Sequence, residues 1–340
     1  MSFRIGSFNL KNLGIAAMSN NNVRDLRTIA YIIRKEKFDI VALQEVLSEG
    51  IAFKISKEYM KKSILMELGG NDSWGFEWAH AGGVGDTRNE GYAFLWNKKT
   101  FDLSKTEVIT SYGKRTRIFY PRMLDLNRSE MMRQPYYGRF TAKQAKIEFR
   151  LICVHTYFGN DDSNDRKKRQ SELDVLLENI YPQIADRCYG EYGDGKNKSY
   201  TILLGDYNAE LLVTETLPWL KSPGRGVKPA IMNTDLNGNV ESRKYKGRII
   251  KTVQYEPTTL KKKMVNNGME DFAGNGFACS YDHFSYEEDK FNGTQIHVKR
   301  ITKAVTHHCK LDDSKYQSNF EKYYKTISDH IPIVMEINLL

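Results

Sequence analysis

Short runs of apolar and β-branched residues recur along this 340-residue chain, and polar or charged stretches separate them. Runs of roughly four to eight such residues are typical of buried strands, whereas helices need longer amphipathic patterns. The runs predict strands at Phe3–Asn9, Asp39–Gln44, Gly91–Trp96, Thr106–Ser111, Phe149–His155, Tyr200–Gly205, Lys299–Thr306 and Ile331–Ile337.

Helical spacing is less frequent than strand-like spacing. Apolar residues recur at intervals of three and four over Val23–Ile33, and Asn21 or Asn22 is the expected N-cap of that helix. The same spacing covers Leu173–Ile184, and a weaker version covers 57–68. Because many strands alternate with few helices, the pattern predicts the α/β class, with two packed sheets in a layered sandwich.

We expect a single domain over residues 1–340, because no linker rich in proline, glycine or serine divides the chain. The segment at about 209–275 is the least regular part and is rich in glycine and lysine. We interpret it as a basic insertion in that domain. Long irregular segments in compact domains usually carry function.

Composition narrows the class of protein further. With 40% hydrophobic and 12% aromatic residues, the chain can bury a large core, which excludes disorder along its whole length. No apolar run approaches the roughly 18 residues of a membrane-spanning helix, and the N-terminus lacks the layout of a secretory signal. Four cysteines without CxxC spacing argue against a disulfide scaffold. We therefore expect a cytoplasmic protein with reduced thiols.

Positive charge is concentrated in two blocks of a chain whose formal net charge is +9. Seven Lys and Arg residues accompany two acids between Lys114 and Arg139, and ten accompany three acids between Arg225 and Lys263. Clustered positive charge is typical of proteins that bind a polyanion, since each neutralised phosphate releases counterions. The blocks favour a nucleic-acid partner, although two solvated loops that keep the protein soluble would carry the same charge.

Carboxylates, amides and imidazoles cluster where the predicted strands end. They are Asn9, Gln44, Glu45, His155, Asp206, Asn208, Asp282, Asp329 and His330. Each position alone is common in turns, because Asp and Asn hydrogen-bond their own backbone. Together they indicate a site, because strand ends are rigid supports on which polar groups can converge.

Five short motifs carry a family resemblance: Ser7-Phe-Asn9, Leu43-Gln-Glu45, Gly205-Asp-Tyr-Asn208, Tyr281-Asp282 and Ser328-Asp-His330. In this order they resemble the endonuclease/exonuclease/phosphatase superfamily of metal-dependent phosphoesterases, over essentially the whole chain. The resemblance implies a four-layer α/β/β/α sandwich of two packed, mostly antiparallel sheets. It also implies a divalent cofactor, Mg²⁺ in the first place, which Mn²⁺ could replace, while a role for Ca²⁺ stays open.

Three further elements resemble the DNase I branch of the superfamily: His155 at its strand end, Arg133-Gln-Pro135, and Glu90-Gly-Tyr92. The signature of an inositol 5-phosphatase is missing from Ser280-Tyr-Asp-His-Phe284. The counterpart of the calcium- and disulfide-bearing loop of DNase I contains no cysteine, so neither feature is carried over.

The resemblance implies a catalytic centre with two histidines, His155 and His330, of which one acts as base and the other as acid. Imidazoles suit both roles, because their ordinary pKa lies near 6.5. Glu90 would orient His155, and Asp282 would orient His330. Which group is the general base stays open at this point.

The same resemblance implies positions for the metal and the phosphate. Glu45 would be the main metal ligand, with help from Asn9 and Asp329, because Mg²⁺ prefers oxygen ligands. Asp206 and Asn208 would hold the phosphate and the attacking water, although in repair-type relatives the matching Asp is sometimes assigned as the base. The number of metal ions stays open.

Basic side chains are the expected contacts to the substrate. Arg133 would neutralise a phosphate, and Lys11 lies where the DNase branch reaches into the minor groove. Lys261, Lys262 and Lys263 belong to the basic insertion and would grip the phosphate backbone without reading sequence.

These observations lead to a main hypothesis and two alternatives. The main hypothesis is a monomeric Mg²⁺-dependent endonuclease that hydrolyses DNA to 5′-phosphate and 3′-hydroxyl ends with little sequence specificity. The first alternative is a phosphatase or phosphodiesterase of the same superfamily that acts on phosphoinositide, lipid or other small phosphates. The second is an inactive nucleic-acid-binding scaffold. The choice between DNA, RNA and a small phosphate stays open.

Overall fold

The structure is a computed structural model and describes residues 1–13, 24–46, 64–81, 90–109, 115–124, 131–159, 163–193, 197–209, 233–234, 240–245, 248–253, 257–260, 277–309 and 315–340. Its strands are β1 (Ser2–Leu13), β2 (Ile40–Val46), β3 (Trp74–His80), β4 (Gly91–Asn97), β5 (Phe101–Leu103), β6 (Lys105–Ile109), β7 (Arg115–Phe119), β8 (Arg122–Met123), β9 (Tyr136–Ala142), β10 (Ile147–His155), β11 (Lys198–Asp206), β12 (Asn233–Thr234), β13 (Val240–Tyr245), β14 (Arg248–Val253), β15 (Asp282–Glu287), β16 (Thr294–Arg300) and β17 (Ile333–Leu339). Its α-helices are α1 (Leu26–Lys35), α2 (Ser163–Asp174), α3 (Tyr181–Ala185) and α4 (Asn319–Thr326). A π-helical segment, Val175–Ile180, joins α2 to α3, a 3₁₀ turn covers Glu288–Phe291, and a π-helical turn covers Ala304–His308.

The described strands form two large sheets and one separate hairpin. The first sheet has the strand order β16-β17-β1-β2-β4-β3, and the second has the order β12-β13-β14-β15-β11-β10-β9-β5, with β8 also paired to β9. The hairpin consists of β6 and β7. Within the large sheets, β1–β2 and β10–β11 are parallel pairs, and the other described pairs are antiparallel.

Successive side chains of a strand face opposite sides, either the inner core between the two sheets or an outer core beneath the helices. Phe149 and Leu151 of β10 face the core between the sheets, where they meet residues of β1 and β4. Ile152 and Val154 face outward and pack against Leu176 and its neighbours in the helical layer. The helices α1 and α4 cover the outer face of the first sheet. The predicted four-layer α/β/β/α sandwich of mostly antiparallel sheets is confirmed.

Two predicted elements are wrong in position. The strand predicted at Lys299–Thr306 ends at Arg300, and a π-helical turn follows, because Ala304 and Val305 pack on the outer core beside α1. The first helix begins at Leu26 rather than Val23. Its N-cap is Asp25, whose side chain accepts a hydrogen bond from the Thr28 N–H at 3.0 Å, and not Asn21 or Asn22.

The structure describes only part of the segment at about 209–275. Within it, β13 and β14 form a hairpin, and β14 pairs with β15, so this part continues the second sheet. Ile250 and Thr252 are buried there, which corrects our interpretation of this part as irregular. Lys261, Lys262 and Lys263 lie outside the described residues. The helices of the described residues are also too short or too polar for any of them to cross a bilayer.

Candidate active site between the two sheets

Strand alternation explains why the polar strand ends share one space. Every second residue of a strand faces the same side, and Phe3 and Ile5 of β1 face the inner core. Asn9 lies four residues after Ile5, so it faces the same side. His155 lies four residues after Leu151 of β10, which also faces the inner core. Each of these polar residues therefore continues an apolar inner face to the mouth of the inter-sheet space, where both are buried.

Strand pairing then sets the neighbours across the second sheet. His155 pairs with Asp206 in the parallel ladder of β10 and β11, and Asp206 pairs with Asp282 in the antiparallel ladder of β11 and β15. Paired residues in a ladder have Cα atoms about 5 Å apart, so their side chains can meet when they share a face. The three side chains therefore form one row along the mouth.

Backbone strain concentrates at this mouth. Among the described residues, Lys11, Asn12, Glu45, Asn208 and Lys37 are the non-glycine residues with positive φ, and the first four lie at the site. Alternation alone would place Glu45 on the face opposite Gln44. With a φ of 55°, Glu45 instead brings its carboxylate to the Asn9 amide at 2.9 Å and to the Asn12 backbone N–H at 3.1 Å. Such strain persists where surrounding contacts determine the conformation, and it is typical of functional sites.

The first histidine–carboxylate pair is His155 with Glu90. The Nδ1 atom of His155 lies 3.2 Å from Oε2 of Glu90, and the same Oε2 lies 2.6 Å from Nε of Arg133. Burial raises the pKa of Glu90, but His155 and the Arg133 charge outweigh burial and lower that pKa to about 2. The backbone N–H of His155 also donates to the hydroxyl of Tyr92 at 3.0 Å.

The second pair is His330 with Asp282. The Nδ1 atom of His330 lies 2.8 Å from Oδ2 of Asp282, which also accepts a hydrogen bond of 2.6 Å from the Thr258 hydroxyl. Burial lowers the pKa of His330, but the charges of Asp282 and Asp206 outweigh burial and hold it well above its usual range. The two carboxylates therefore favour the protonated form of His330.

Asp206 lies between the two pairs. Its Oδ2 atom is 3.6 Å from Nε2 of His155 and 3.6 Å from Nε2 of His330. The amide of Asn9 donates to the same Oδ2 at 3.0 Å, and Oδ1 accepts from the backbone N–H of Asn208 at 2.8 Å. Two imidazoles thus point their free nitrogens at one carboxylate, the geometry needed to handle a single reacting group from both sides.

A cationic rim borders the site on the side of β1. Lys11 Nζ lies 2.7 Å from Oδ2 of Asp329 and 3.8 Å from the centre of the Tyr324 ring. Burial raises the pKa of Asp329, but the His330 and Lys11 charges outweigh burial and lower it. The buried Arg24 guanidinium donates to the Lys11 carbonyl, which fixes this turn.

Solved structures share this architecture. Humanized TDP2 of D. rerio is 17% identical with a TM-score of 0.50, and the alignment covers 99% of each chain. D. rerio TDP2 complexed with single strand DNA product gives the same values. An endonuclease/exonuclease/phosphatase family protein from Bacteroides thetaiotaomicron is 14% identical with a TM-score of 0.49, over 100% of this chain and 98% of that chain. No family model and no curated protein match the sequence.

This chain shares the fold of the D. rerio TDP2 structures. The fold that the sequence resemblance implied is confirmed. In this fold strand ends of both sheets meet at one mouth, which accounts for the convergence of Asn9, Glu45, His155, Asp206, Asp282 and His330 from distant parts of the chain.

The donor set at the mouth of this fold suits a divalent cation. One donor atom each from Glu45, His155 and Asp206 lies within 4.8 Å of the others. The amide of Asn9 bridges Glu45 and Asp206 with its N–H groups, so in this orientation it holds the two carboxylates together. The predicted set of Glu45, Asn9 and Asp329 is therefore only partly brought together, because Asp329 faces Lys11.

Thr258 of this site carries no sequence signal that we recognised, although it contacts the second pair. Tyr92, which contacts the first pair, belongs to the Glu90-Gly-Tyr92 motif. Ser328 donates to the Asn9 carbonyl at 2.7 Å and accepts from the backbone N–H of His330 at 3.0 Å, which links two motifs. The position of Ser328 directly before Asp-His was the available signal, because serine commonly caps turns.

Proposed function

We propose that this chain is a divalent-metal-dependent phosphoesterase, and more specifically a DNase I-like endonuclease that acts on DNA with little sequence specificity. The observation that carries the proposal is the pair of imidazole Nε2 atoms, His155 and His330, each 3.6 Å from the same oxygen of Asp206. Hydrolysis of a phosphodiester needs one group to take a proton from water and another to give a proton to the leaving oxygen.

Two carboxylates are available for the cation. Glu45 and Asp206 would hold Mg²⁺ or Mn²⁺, because Mg²⁺ is usually bound through one or two carboxylates together with water and substrate phosphate. When bound, the ion would supply positive charge against the phosphate. This assignment leaves both imidazoles for proton transfer.

The two histidines then take different roles. His330, whose protonated form Asp282 and Asp206 favour, gives a proton to the 3′-oxygen as the P–O3′ bond breaks. His155, whose Nδ1 is held by Glu90, takes a proton at Nε2 from the water whose oxygen forms the new bond to phosphorus. The products are a 5′-phosphate and a 3′-hydroxyl. Asn208, whose amide donates to the Thr156 carbonyl at 2.9 Å, helps to hold the phosphate in place.

DNA is the substrate that the surroundings of the site favour. The Lys11 rim joins a cation to the Tyr324 ring, groups that suit a phosphate and a sugar or base. The chain carries a net charge of +9, and D. rerio TDP2, which shares the fold, has been seen with a single-strand DNA product. We propose that Arg133, Lys11 and the triplet Lys261, Lys262 and Lys263 act on the substrate side, in a monomer.

The state of the cysteines supports a cytoplasmic location. All four cysteines, Cys153, Cys188, Cys279 and Cys309, are free thiols. Free thiols persist in a reducing environment, so we propose a cytoplasmic location.

The decisive experiment offers the full-length protein four substrates: supercoiled plasmid, single-stranded DNA, RNA and inositol phosphates. We expect nicked plasmid with Mg²⁺ and none after addition of EDTA. Intact plasmid together with released inorganic phosphate from inositol phosphates would replace the nuclease with a small-phosphate enzyme. If all four substrates stay intact with Mg²⁺ and with Mn²⁺, the chain is not a phosphoesterase of these classes.

A further inference from the structure

Glu172 is a buried carboxylate on α2 that touches two loops of the site from behind. It is 5% exposed, and each of its oxygens accepts one backbone hydrogen bond. Oε1 accepts from the N–H of Met132 at 2.6 Å, and Oε2 accepts from the N–H of Tyr157 at 2.7 Å. The two partners are 40 and 15 residues away along the chain, so the contacts are tertiary.

One of the two loops carries Arg133, which contacts Glu90, and the other directly follows His155. Met132 directly precedes Arg133, and Tyr157 follows His155 by two residues. The Arg133 guanidinium also reaches the second loop, where Nη1 lies 3.3 Å from the Thr156 carbonyl. Glu172 thus closes a ring of contacts that runs through Arg133, Glu90 and His155 and returns to its own carboxylate.

Burial of the Glu172 carboxylate costs free energy of folding, so its presence calls for contacts that an apolar residue cannot make. Burial raises the pKa of Glu172, and the N–H groups of Met132 and Tyr157 together with the Arg133 charge only partly offset that cost. A leucine or methionine would fill the space but would leave both backbone donors without an acceptor. The bidentate arrangement also fixes the separation of the two loops, which one hydrogen bond could not do.

We propose that Glu172 is a positioning residue for the acid–base centre, because it sets the separation between the loop of Arg133 and the loop of His155. This inference rests on the proposed function. It assigns a role in the reaction to a helix residue that touches neither the substrate nor the reacting atoms.

Glu172→Gln tests the proposal with a nearly isosteric change. The amide keeps one acceptor oxygen and replaces the other with a donor, so one of the two loops loses its anchor. Misplacement of a catalytic group by about 1 Å can cost up to about 10²-fold in rate. We expect kcat to fall by at least ~10-fold with little change in KM, and the matched control Glu178→Gln, on the adjoining π-helical segment, to stay near the original rate.

Amide hydrogen exchange provides a readout that does not depend on activity. In Glu172→Gln, the amide of Met132 or of Tyr157 should exchange at least ~10-fold faster, while amides of β11 keep their protection. Glu172→Asp keeps both acceptor oxygens on a shorter side chain and should give intermediate rates in both measurements.

A double-mutant cycle separates positioning from general destabilisation. On an Arg133→Ala background, Glu172→Gln should cost less than ~3-fold in kcat, because the ring is already open. On a Lys11→Ala background it should again cost ~10-fold. Equal losses on both backgrounds, or a kcat loss with unchanged exchange, would overturn the proposal, and so would a failure of both Glu172 variants to fold. If the unsubstituted protein hydrolyses nothing, the proposed function fails while the exchange measurement still decides this inference.

Discussion

The two histidine–carboxylate pairs differ in the second partner of the carboxylate. Oε2 of Glu90 serves His155 at 3.2 Å and the cationic Arg133 at 2.6 Å. Oδ2 of Asp282 serves His330 at 2.8 Å and the neutral Thr258 hydroxyl at 2.6 Å. Glu90 divides its charge between the Arg133 guanidinium and the His155 imidazole, whereas Asp282 directs its charge toward one imidazole.

This difference teaches how one site can hold two imidazoles in different roles. The pKa of His330 lies well above its usual range, and the pKa of Glu90 falls to about 2 after burial is outweighed by His155 and Arg133. The second pair is therefore suited to keep a proton and the first to keep an ionised carboxylate. A general acid and a general base need such unequal surroundings.

The largest expected effect comes from removal of either imidazole. His155→Ala and His330→Ala should each lower kcat by at least ~10²-fold, because each removes one proton-transfer group. The double variant should lose much less than the product of the two losses, since residues that act as a unit are not additive. Steady-state rates on plasmid and on a small phosphodiester measure both effects, and full activity in a single variant would remove that histidine from the mechanism.

Removal of the Arg133 guanidinium, which contacts Glu90 of the first pair, should have the next largest effect. Arg133→Gln leaves Glu90 without its guanidinium, so the pKa of Glu90 should rise from about 2 and kcat should fall by ~10-fold or more. Carbon NMR of the carboxyl group and steady-state kinetics measure the two changes. Arg122→Gln, an exposed position in the same basic block, is the matched control. An unchanged kcat would contradict the effect of Arg133 on Glu90, whereas a rise in KM would reflect the substrate contact that we also propose for Arg133.

Thr258 should act on the second pair in a smaller way. Thr258→Val removes a donor that stabilises the Asp282 charge, so Asp282 should hold the His330 proton more tightly. The pKa of His330 should move upward by roughly half a unit to one unit, as expected for one hydrogen bond. Titration of the His330 ring by NMR measures the shift. Thr259→Val is the control, because its hydroxyl contacts the Cys279 backbone instead, and an equal shift there would contradict the role of Thr258.

The smallest effect is the dependence of stability on pH, which has opposite sign for the two pairs. His330 has a raised folded pKa, so its contribution is fully present below about pH 6.5 and is lost as pH rises through the folded value. Glu90 has a lowered folded pKa, so its contribution is present above about pH 4.5 and is lost as pH falls toward 2.

Urea unfolding in EDTA can measure both windows. The free energy of unfolding of the original protein is compared with that of His330→Gln and of Glu90→Gln at several pH values. We expect the difference in the free energy of unfolding to change across each window in the stated direction, because a pKa that differs between the folded and unfolded states makes stability depend on pH. If the difference between the original protein and a variant does not change with pH, the pKa of the substituted group is the same in the folded and unfolded states.

Strands that the sequence did not predict show the limits of pattern reasoning. β9 contains Gly138 and Arg139, and the pattern there resembles a solvated stretch. In the structure Arg139 is buried and paired with Glu148, which also pairs with Arg150 at 2.7 Å. A buried ionic cluster contains the same residue types as a solvated surface, so hydrophobic periodicity does not reveal it.

By itself, the sequence determined the sheet-forming runs, the alternation that carries Asn9, His155 and Asp206 to one mouth, and the motifs that indicated the superfamily. These features are local, because the period of a strand fixes the face of each side chain without reference to the rest of the chain. Only the tertiary structure decided that Glu45 turns inward, that Arg133 faces Glu90, and that Glu172 and Thr258 support the site. Those contacts join loops that are tens of residues apart in the sequence. They form because packing places a buried hydrogen-bond donor opposite a buried acceptor. Hydrophobic periodicity in the sequence does not show such pairings.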